Sequence, residues 1–348
     1  MKIGIITVQD SNNFGSFLQA YALQDVLEKM GHDVYFIRTR SKEYIKKLFY
    51  HNIPNKHELK YFFSFIKNNY GGRKKYKRFK EEQKCFKVLD NYEEFLDVVI
   101  LGSDEIWNVT TPVFRNDIFY GRDMKSVMTY GVSIGNATLK DMHCIDVNNF
   151  KNIRPILVRD NHTSDYLESV GINSSVVCDP TFLVDPQIFK RNYSDSLLDG
   201  APYMLIYSYG LDEDIVKALK EFAKKRGLRI LSVCFEFDWC DGMIDCAALD
   251  FSTVMEKAEY VFTSTFHGTI FSILNHKKFI SLPCSRKTSD LLAQMQLTCR
   301  LVNIEECSSE IIEYKMVDEI DYDKIDGIIS YMRETSIEKL KDGISLYD

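Results

Sequence analysis

Short apolar runs alternate with longer amphipathic segments along this chain, and no other feature limits the possible folds as strongly. The run KIGIITV at residues 2–8 has the composition of a buried strand. The segment 17–31 that follows has the apolar spacing of a helix, with Gly31 as its stop. The same succession recurs further along the chain. Strands that alternate with helices are typical of parallel sheets with crossover helices, so we predict an α/β protein.

A second series of strands and helices predicts a second domain. The connection at residues 181–195 separates the two series and is the expected boundary. We therefore expect two doubly wound, Rossmann-like domains that face a cleft. The first is predicted at residues 1–182 and the second at residues 183–348, with a C-terminal helix that can pack back on the first. In such sheets ligands bind beyond the carboxyl ends of the strands, so the loops there are the candidate sites.

Composition and cysteine usage indicate the cellular compartment. The 348 residues are 45 % hydrophobic and 27 % charged, which is ordinary for a globular protein. No apolar run reaches the roughly 20 residues that a spanning helix needs, and the start lacks the apolar core of a signal peptide. The nine cysteines are scattered and form no Cys-x-x-Cys pair. We expect a cytoplasmic protein without a metal site.

Four segments at predicted strand ends carry polar residues, at 11–19, 102–108, 158–165 and 263–272. In the last of them, TSTFHGTIFS, His267 stands where an apolar strand turns into a helix. The N–H groups of a helix N-terminus suit a phosphate, and an imidazole moves protons near neutral pH. The alternative is a buried structural histidine. Each segment alone is weak, because glycine-rich turns before helices are common.

Together and in this order, the segments resemble the polysaccharide pyruvyl transferase family. The similarity spans nearly the whole chain, through MKIGIIT, NNFGSFLQAYALQ, ILGSDEIWN, YGVSIG, VVCDPTFLVDP and TSTFHGTIFSILNHKKFI. The resemblance implies a fold like that of two-domain glycosyltransferases of the B architecture. It implies transfer of the pyruvyl group of phosphoenolpyruvate to two hydroxyls of a sugar, forming a ketal. Phosphoenolpyruvate is a co-substrate, and no cofactor is expected.

The resemblance also implies roles on the donor side. His267 matches the family's acid–base histidine, and Arg159 matches an arginine that binds phosphoenolpyruvate. Arginine suits this task because its planar fork pairs with a carboxylate through two bonds. Many members carry an arginine where this chain has Thr265, and we predict that Arg286 replaces it. The other candidates for donor contacts surround the start of the helix: Ser264, Thr265, Gly268 and Thr269.

Acceptor contacts are predicted in the first domain. Asp104 follows the apolar run VVIL and is a candidate ligand or base for a sugar hydroxyl, the alternative being a turn cap. The remaining candidates come from the same strand end and from the first strand-to-helix turn: Ser103, Asn13, Gly15 and Gln19. No acids or histidines show the spacing of metal ligands.

Two other functions remain open from the sequence. A sugar-nucleotide-dependent glycosyltransferase of the same build is the nearest, although the second domain lacks the usual ribose-binding carboxylate motif. A non-catalytic relative that binds a glycan is the other, because of the missing arginine at Thr265. No Walker loop, dinucleotide fingerprint or nucleophile elbow occurs.

The segment 42–80 is strongly basic and aromatic, with twelve lysines and arginines, ten aromatic residues and only two acids. It is either a solvated helical face or a contact with the inner face of the membrane, where an acceptor of capsule or exopolysaccharide synthesis is held on a lipid. The acidic remainder of the chain disfavours nucleic acid. For the membrane contact we name Tyr61, Phe62, Phe63, Phe65, Arg73, Lys74, Lys75, Lys77 and Arg78.

Overall fold

The computed structural model describes residues 1–11, 13–47, 74–283 and 286–348. The first half of the chain forms a sheet of seven strands in the order β3-β2-β1-β4-β5-β6-β7, and every pairing in it is parallel. The strands are β1 (Lys2–Ile6), β2 (Asp33–Ile37), β3 (Val88–Leu89), β4 (Val98–Asp104), β5 (Val127–Val132), β6 (Leu157–Val158) and β7 (Ser175–Val176).

The second sheet has five strands in the order β10-β9-β8-β11-β12, again all parallel. Its strands are β8 (Tyr203–Tyr207), β9 (Arg229–Val233), β10 (Gly242–Ile244), β11 (Tyr260–Thr263) and β12 (Lys278–Ser281). The order reverses between β8 and β11, which is the switch point where ligands of open α/β sheets bind.

The helices connect the strands and cover both sheets. In the first half they are α1 (Phe14–Lys29), α2 (Lys42–Lys47), the helical residues 74–82 called α3, α4 (Leu139–Met142), α5 (Asn161–Ser169) and α6 (Pro180–Leu183). In the second half they are α7 (Glu213–Arg226), α8 (Phe251–Lys257), α9 (Phe266–Leu274), α10 (Arg286–Gln294), α11 (Ser309–Val317) and α12 (Tyr322–Ser345).

The hydrophobic core runs continuously from one sheet to the other. The first strand, KIGII, buries four of its five residues because neighbouring strands flank it on both sides and α1 packs over it. Phe17 of α1, Phe189 and Phe271 of α9 belong to one buried cluster that reaches both domains. Most of α1 is therefore buried, and its side chains contribute to the core of both domains.

Helix α12 leaves the second sheet and packs on the first. The hydroxyl of Ser336 accepts a hydrogen bond from the N–H of Cys178 at 3.0 Å. Arg333 Nε donates to the carbonyl of Phe182 at 2.7 Å, and Lys339 Nζ donates to the carbonyl of Val176 at 2.9 Å. Side chains of α12 thus satisfy backbone groups at the end of the outer strand β7, in the turn that follows it and in α6.

Helix α3 makes the opposite exchange, from the first domain to the second. Both terminal nitrogens of Arg78 donate to the carboxylate of Asp245, at 2.9 and 2.8 Å. Lys74 pairs with the same carboxylate at 2.7 Å, and Lys75 donates to the carbonyl of Cys234 at 3.1 Å. Three of the basic residues predicted to face a membrane therefore contact the second domain.

The other residues of that prediction divide into two groups. Lys77 is exposed on α3, next to the contact with the second domain. The rest lie in 48–73, outside the described residues: Tyr61, Phe62, Phe63, Phe65 and Arg73. Over the part of the chain that the structure describes, no helix combines the length and the apolar character needed to cross a bilayer.

Candidate active site

The loop between β11 and α9 forms one side of the site. The helix begins at Phe266, and the hydroxyl of Thr265 caps it by accepting the N–H of Gly268 at 3.0 Å. Threonine is a favoured cap because it satisfies one of the unpaired N–H groups of the first turn. The position where many relatives carry an arginine therefore has a structural task here. His267 follows within the first turn.

The small residues of this loop are used inside the domain. A β-carbon on Gly268 would stand 2.1 Å from the hydroxyl oxygen of Thr263, so the glycine permits close packing on the end of β11. Thr269 is 0 % exposed, and its hydroxyl lies 2.7 Å from that of Ser281. The hydroxyl of Ser264 lies 2.8 Å from that of Ser208. Donor contacts through these side chains are not favoured by the geometry.

His267 is buried between the two domains. Its side chain is 8 % exposed, and Nε2 lies 3.8 Å from a carboxylate oxygen of Asp179. Within the described residues Nε2 has no hydrogen-bond partner. Burial lowers the pKa of the imidazole to about 4, outweighing the opposite effect of Asp179 and Asp104. His267 is therefore neutral near pH 7 and able to accept a proton.

Arg159 reaches the same place from the first domain. It follows β6, and its Nη1 donates to Asp179 at 3.0 Å, while Nη2 lies 3.9 Å from Asp104. The side chain is 3 % exposed, yet Nε and Nη2 have no hydrogen-bond partner among the described residues. Buried donors are nearly always paired in folded proteins. Two unpaired guanidinium donors in a cleft are therefore suited to an anionic ligand.

Lys287, which sequence reasoning missed, supplies the second cation. Its Nζ lies 4.7 Å from the centre of the Phe266 ring and pairs with the carboxylate of Glu105. The guanidinium of Arg159 lies 4.9 Å from the same ring centre. The negative face of an aromatic ring attracts cations, so Phe266 gathers one from each domain. The only sequence signal for Lys287 is that it forms a pair of basic residues with Arg286 in SRKTSD.

Arg286, the predicted replacement for the absent arginine, points elsewhere. One of its terminal nitrogens lies 3.3 Å from Nδ1 of His162, and the residue is exposed. Successive residues of a helix differ by about 100° in direction, so Arg286 and Lys287 cannot both face the cleft centre. The structure thus places the neighbouring lysine beside Phe266 and the arginine at the rim.

Asp104 has an unusual backbone and a tightly held carboxylate. Its φ angle is 76°, a left-handed conformation that only a few per cent of non-glycine residues adopt. The carboxylate accepts hydrogen bonds from the hydroxyl of Ser16 at 2.7 Å and from the N–H of Glu105 at 2.9 Å. Burial raises the pKa of this carboxyl, but Arg159 and Lys287 outweigh burial and hold it well below its ordinary value.

Asp179 positions the two key side chains and was not predicted as a site residue. It caps α6, accepting the N–H of Thr181 at 3.1 Å and its hydroxyl at 2.7 Å. The other carboxylate oxygen faces Arg159 and His267. A carboxylate fixed in this way sets the direction of the guanidinium fork. Its sequence signals were its place before a proline and its position in the segment VVCDPTFLVDP, which is part of the family resemblance.

The predicted acceptor residues lie at and beneath the site. Asn13 caps α1 by accepting the N–H of Gly15 at 2.8 Å, and Gly15 lies directly against His267. Gln19 is 0 % exposed and donates to the hydroxyl of Thr7 at 3.0 Å. Ser103 is also 0 % exposed. The structure therefore brings Gly15 and Asp104 to the histidine and places Gln19 and Ser103 in the layer below.

The space between these residues is small. A cavity of about 20 Å³ is bordered by residues that include Arg159, Asp179, Phe266 and Lys287. A cavity of this size holds about one water molecule, which is too little for a sugar or another substrate of that size. No three His, Cys, Asp or Glu side chains in the described ranges are grouped to hold a metal ion.

Comparison by sequence identifies one family. The sequence model of the family described as polysaccharide pyruvyl transferase matches residues 13–286, which is most of the chain. That stretch begins at the cap of α1 and ends at the first residue of α10, so it includes both sides of the cleft. No match to a curated protein was found.

Comparison by structure finds UDP-N-acetylglucosamine 2-epimerases. A putative one from Listeria monocytogenes has a TM-score of 0.57 at 11 % identity, covering 99 % of this chain and 95 % of its own. That of Methanocaldococcus jannaschii, in complex with UDP-GlcNAc and UDP, scores 0.52 at 13 %, covering 95 % and 99 %. At such identities the likeness shows the fold alone. The predicted pair of Rossmann-like domains in a glycosyltransferase-B-like arrangement is confirmed.

Proposed function

Because the chain belongs to the polysaccharide pyruvyl transferase family, we propose that it moves the pyruvyl group of phosphoenolpyruvate onto two hydroxyls of a sugar. The product is a pyruvate ketal on a polysaccharide or on a lipid-linked glycan precursor. The observation that carries the proposal is the pair of cations on Phe266, Arg159 from one domain and Lys287 from the other, beside a neutral His267.

The charges of the donor match the groups of the site. Phosphoenolpyruvate carries a carboxylate and a phosphate on the same carbon, C2. The unpaired Nε and Nη2 of Arg159 can hold the carboxylate as a fork. The phosphate can be held by Lys287 and by the first N–H groups of α9, which have no carbonyl partner within the helix. In this proposal Lys287 takes the place that the sequence assigned to Arg286.

The chemistry requires a group that carries protons between oxygen and carbon. The two sugar hydroxyls each form a bond to C2 of the donor, and the bond from C2 to the phosphate oxygen breaks. One hydroxyl proton ends on C3, which becomes a methyl group, and the other leaves with the phosphate. Neutral His267 accepts the first hydroxyl proton and then delivers it to C3.

Asp104 supports this transfer without taking the proton itself. Its lowered pKa makes it a weak base that stays ionised. The carboxylate can therefore orient a sugar hydroxyl and stabilise the imidazolium that forms on His267. We assign it the role of acceptor ligand, with Ser16 holding it in place.

We also propose that the protein works in the cytoplasm, at the inner face of the membrane where a lipid-linked acceptor is available. Lys77 and Lys80 are exposed on α3, as are Lys74 and Lys75, which are engaged with the second domain. Each cation near an anionic surface contributes about 1 kcal/mol of binding. Changing Lys77 and Lys80 to glutamine should weaken sedimentation with anionic vesicles at low salt. Unchanged sedimentation of the double variant would contradict the contribution of α3.

The proposed reaction is tested by its two products. Phosphate release from phosphoenolpyruvate should depend on a sugar acceptor from a panel of methyl glycosides and lipid-linked sugars, with the ketal detected by mass spectrometry. His267→Gln should lower turnover about 100- to 10,000-fold, as removal of a general acid–base group does. In parallel, phosphoenolpyruvate should raise the melting temperature of the parent. Stabilisation by UDP-GlcNAc and none by phosphoenolpyruvate would favour a nucleotide-dependent function instead.

A further inference from the structure

The side chains of Tyr209 and Phe235 form an aromatic surface, here called the shelf, at the carboxyl ends of two strands of the second sheet. Tyr209 lies two residues beyond the end of β8, and Phe235 lies two residues beyond the end of β9. Their ring centres are 5.2 Å apart, and Tyr209 is 63 % exposed. Below them Tyr207, which is 3 % exposed, provides the core contacts of this edge. Tyr209 therefore keeps exposed aromatic surface at the carboxyl end of the second sheet.

The shelf lies next to the proposed reaction centre. In the second sheet β8 stands between β9 and β11, and β11 leads into His267. Neighbouring strands are about 4.8 Å apart, so the end of β8 lies one strand spacing from the end of β11. The N–H of Tyr209 donates to the hydroxyl of Ser264 at 3.3 Å, which ties the shelf to the loop of His267.

The backbone beneath Phe235 is held in an unfavourable conformation. Cys234 has a φ angle of 67°, which is rare for a residue with a side chain. Its carbonyl accepts the hydrogen bond from Lys75 of α3 at 3.1 Å. Such conformations persist where surrounding contacts enforce them, and they are enriched at ligand sites. The backbone next to Phe235 is thus held by contacts from both domains.

From this geometry we propose that Tyr209 and Phe235 bind the pyranose ring of the acceptor. The proposal rests on the proposed function and adds to it that the acceptor is held by both domains, not by the first alone. The flat C–H face of a pyranose fits an exposed aromatic ring, while its hydroxyls face polar groups such as the ammonium of Lys75. Phosphoenolpyruvate has no such face, so the shelf does not suit the donor.

Binding of simple sugars tests the shelf without any turnover. Saturation-transfer NMR on methyl glycosides at millimolar concentration should show transfer from the parent protein. In Tyr209→Ala the binding should be weakened about tenfold, the usual effect of truncating an aromatic anchor. Tyr209→Phe should bind like the parent, because it keeps the ring. Tyr331→Ala, at a tyrosine of α12 that is 70 % exposed, is the matched control and should have no effect.

Two results would overturn the shelf. One is unchanged sugar binding in Tyr209→Ala, and the other is no saturation transfer from the parent to any glycoside. Thermal stabilisation by phosphoenolpyruvate is measured on the same variants and should be equal in the parent and in Tyr209→Ala. If phosphoenolpyruvate does not stabilise the parent, that result counts against the proposed reaction. If phosphoenolpyruvate stabilises both proteins and only the expected loss of sugar binding is missing, the result counts against the shelf alone.

Discussion

The imidazole of His267 packs on the α-carbon of Gly15 so closely that a β-carbon at residue 15 would stand 2.0 Å from Nδ1 and 2.2 Å from Cγ. The two residues belong to different domains. No real β-carbon tolerates such distances, so this contact exists only because residue 15 has no side chain. It links the position of the histidine to the closure of the cleft.

Gly15→Ala should therefore lose activity while remaining folded. The methyl group must displace the imidazole or hold the domains apart, and a misplacement of about 1 Å at a reacting group costs on the order of 100-fold in rate. Gly327→Ala is the control, since a β-carbon there meets nothing within 4 Å and alanine is favoured inside a helix. Gly15→Ala with the turnover of the parent would show that the close contact is not needed.

His267 should make the protein less stable in mild acid. Its pKa is about 4 in the folded protein against 6.5 for an ordinary histidine. Between these values the unfolded chain binds a proton that the folded protein does not, so the free energy of unfolding falls as pH decreases through that window. The loss approaches roughly 3 kcal/mol at the lower end. The free energy of unfolding, measured with urea at several pH values from 5 to 7, should fall less with decreasing pH in His267→Gln than in the parent. An equal pH dependence in the two proteins would contradict a buried neutral imidazole.

The two cations on Phe266 should dominate donor binding. Arg159→Ala and Lys287→Ala should each raise the phosphoenolpyruvate KM, because removal of a buried charged contact costs roughly 2 to 5 kcal/mol. Arg159→Lys should also be impaired, since lysine lacks the fork. Arg286→Ala should have a smaller effect than Lys287→Ala, as Arg286 faces His162. The opposite order would restore Arg286 as the donor contact.

Glu105 should oppose the donor. Its carboxylate pairs with Lys287, so an incoming phosphate must compete for the same ammonium. Glu105→Gln removes a negative charge and should tighten phosphoenolpyruvate binding several-fold, measured by titration calorimetry. The gain should vanish when Lys287 is already alanine, because the two residues then no longer interact. Weaker donor binding in Glu105→Gln would mean that the carboxylate itself supports the site.

The ion pair between Arg78 and Asp245 should hold the two domains together. Both side chains are about three-quarters buried. A hydrogen bond between charged groups contributes about 1.5 to 3 kcal/mol to the free energy of unfolding. Asp245→Asn should lower the midpoint of urea unfolding. A double-mutant cycle with Arg78→Gln should give a favourable coupling energy. Independent effects would indicate that the pair adds nothing to the domain contact.

Part of this architecture was predictable from sequence periodicity. The run at residues 2–8 became β1, and the apolar run VVIL before Asp104 became part of β4, because both are central strands with apolar residues on both faces. The strand whose end was predicted in 158–165 has only two residues, Leu157–Val158. Here the side chain of Asp160 caps α5, accepting the N–H of Thr163 at 2.8 Å, and this ends the strand early.

The site was harder to predict, because its residues meet only in three dimensions. His267 and Arg159 stand at strand ends and match a family pattern, so the sequence could nominate them. Lys287 matches no short motif, and Asp179 lies in the family segment VVCDPTFLVDP without being assigned a role, so the importance of both comes from where α10 and α6 direct them. Choosing Lys287 over Arg286 required knowing which side of α10 faces the cleft, and that depends on how the helix packs in the folded protein.

The return of α12 to the first sheet has a consequence for biosynthesis. The N–H of Cys178 and the carbonyls of Val176 and Phe182 find partners in residues 333–339, about 150 positions downstream. Domains usually fold as they leave the ribosome, in order from the N-terminus. The first domain of this protein emerges without the helix that covers its outer strand, and must wait for translation of the second. During that interval its uncovered edge is a natural site for chaperone binding, and ribosome-bound chains ending before residue 322 should be retained by chaperones more strongly than longer ones.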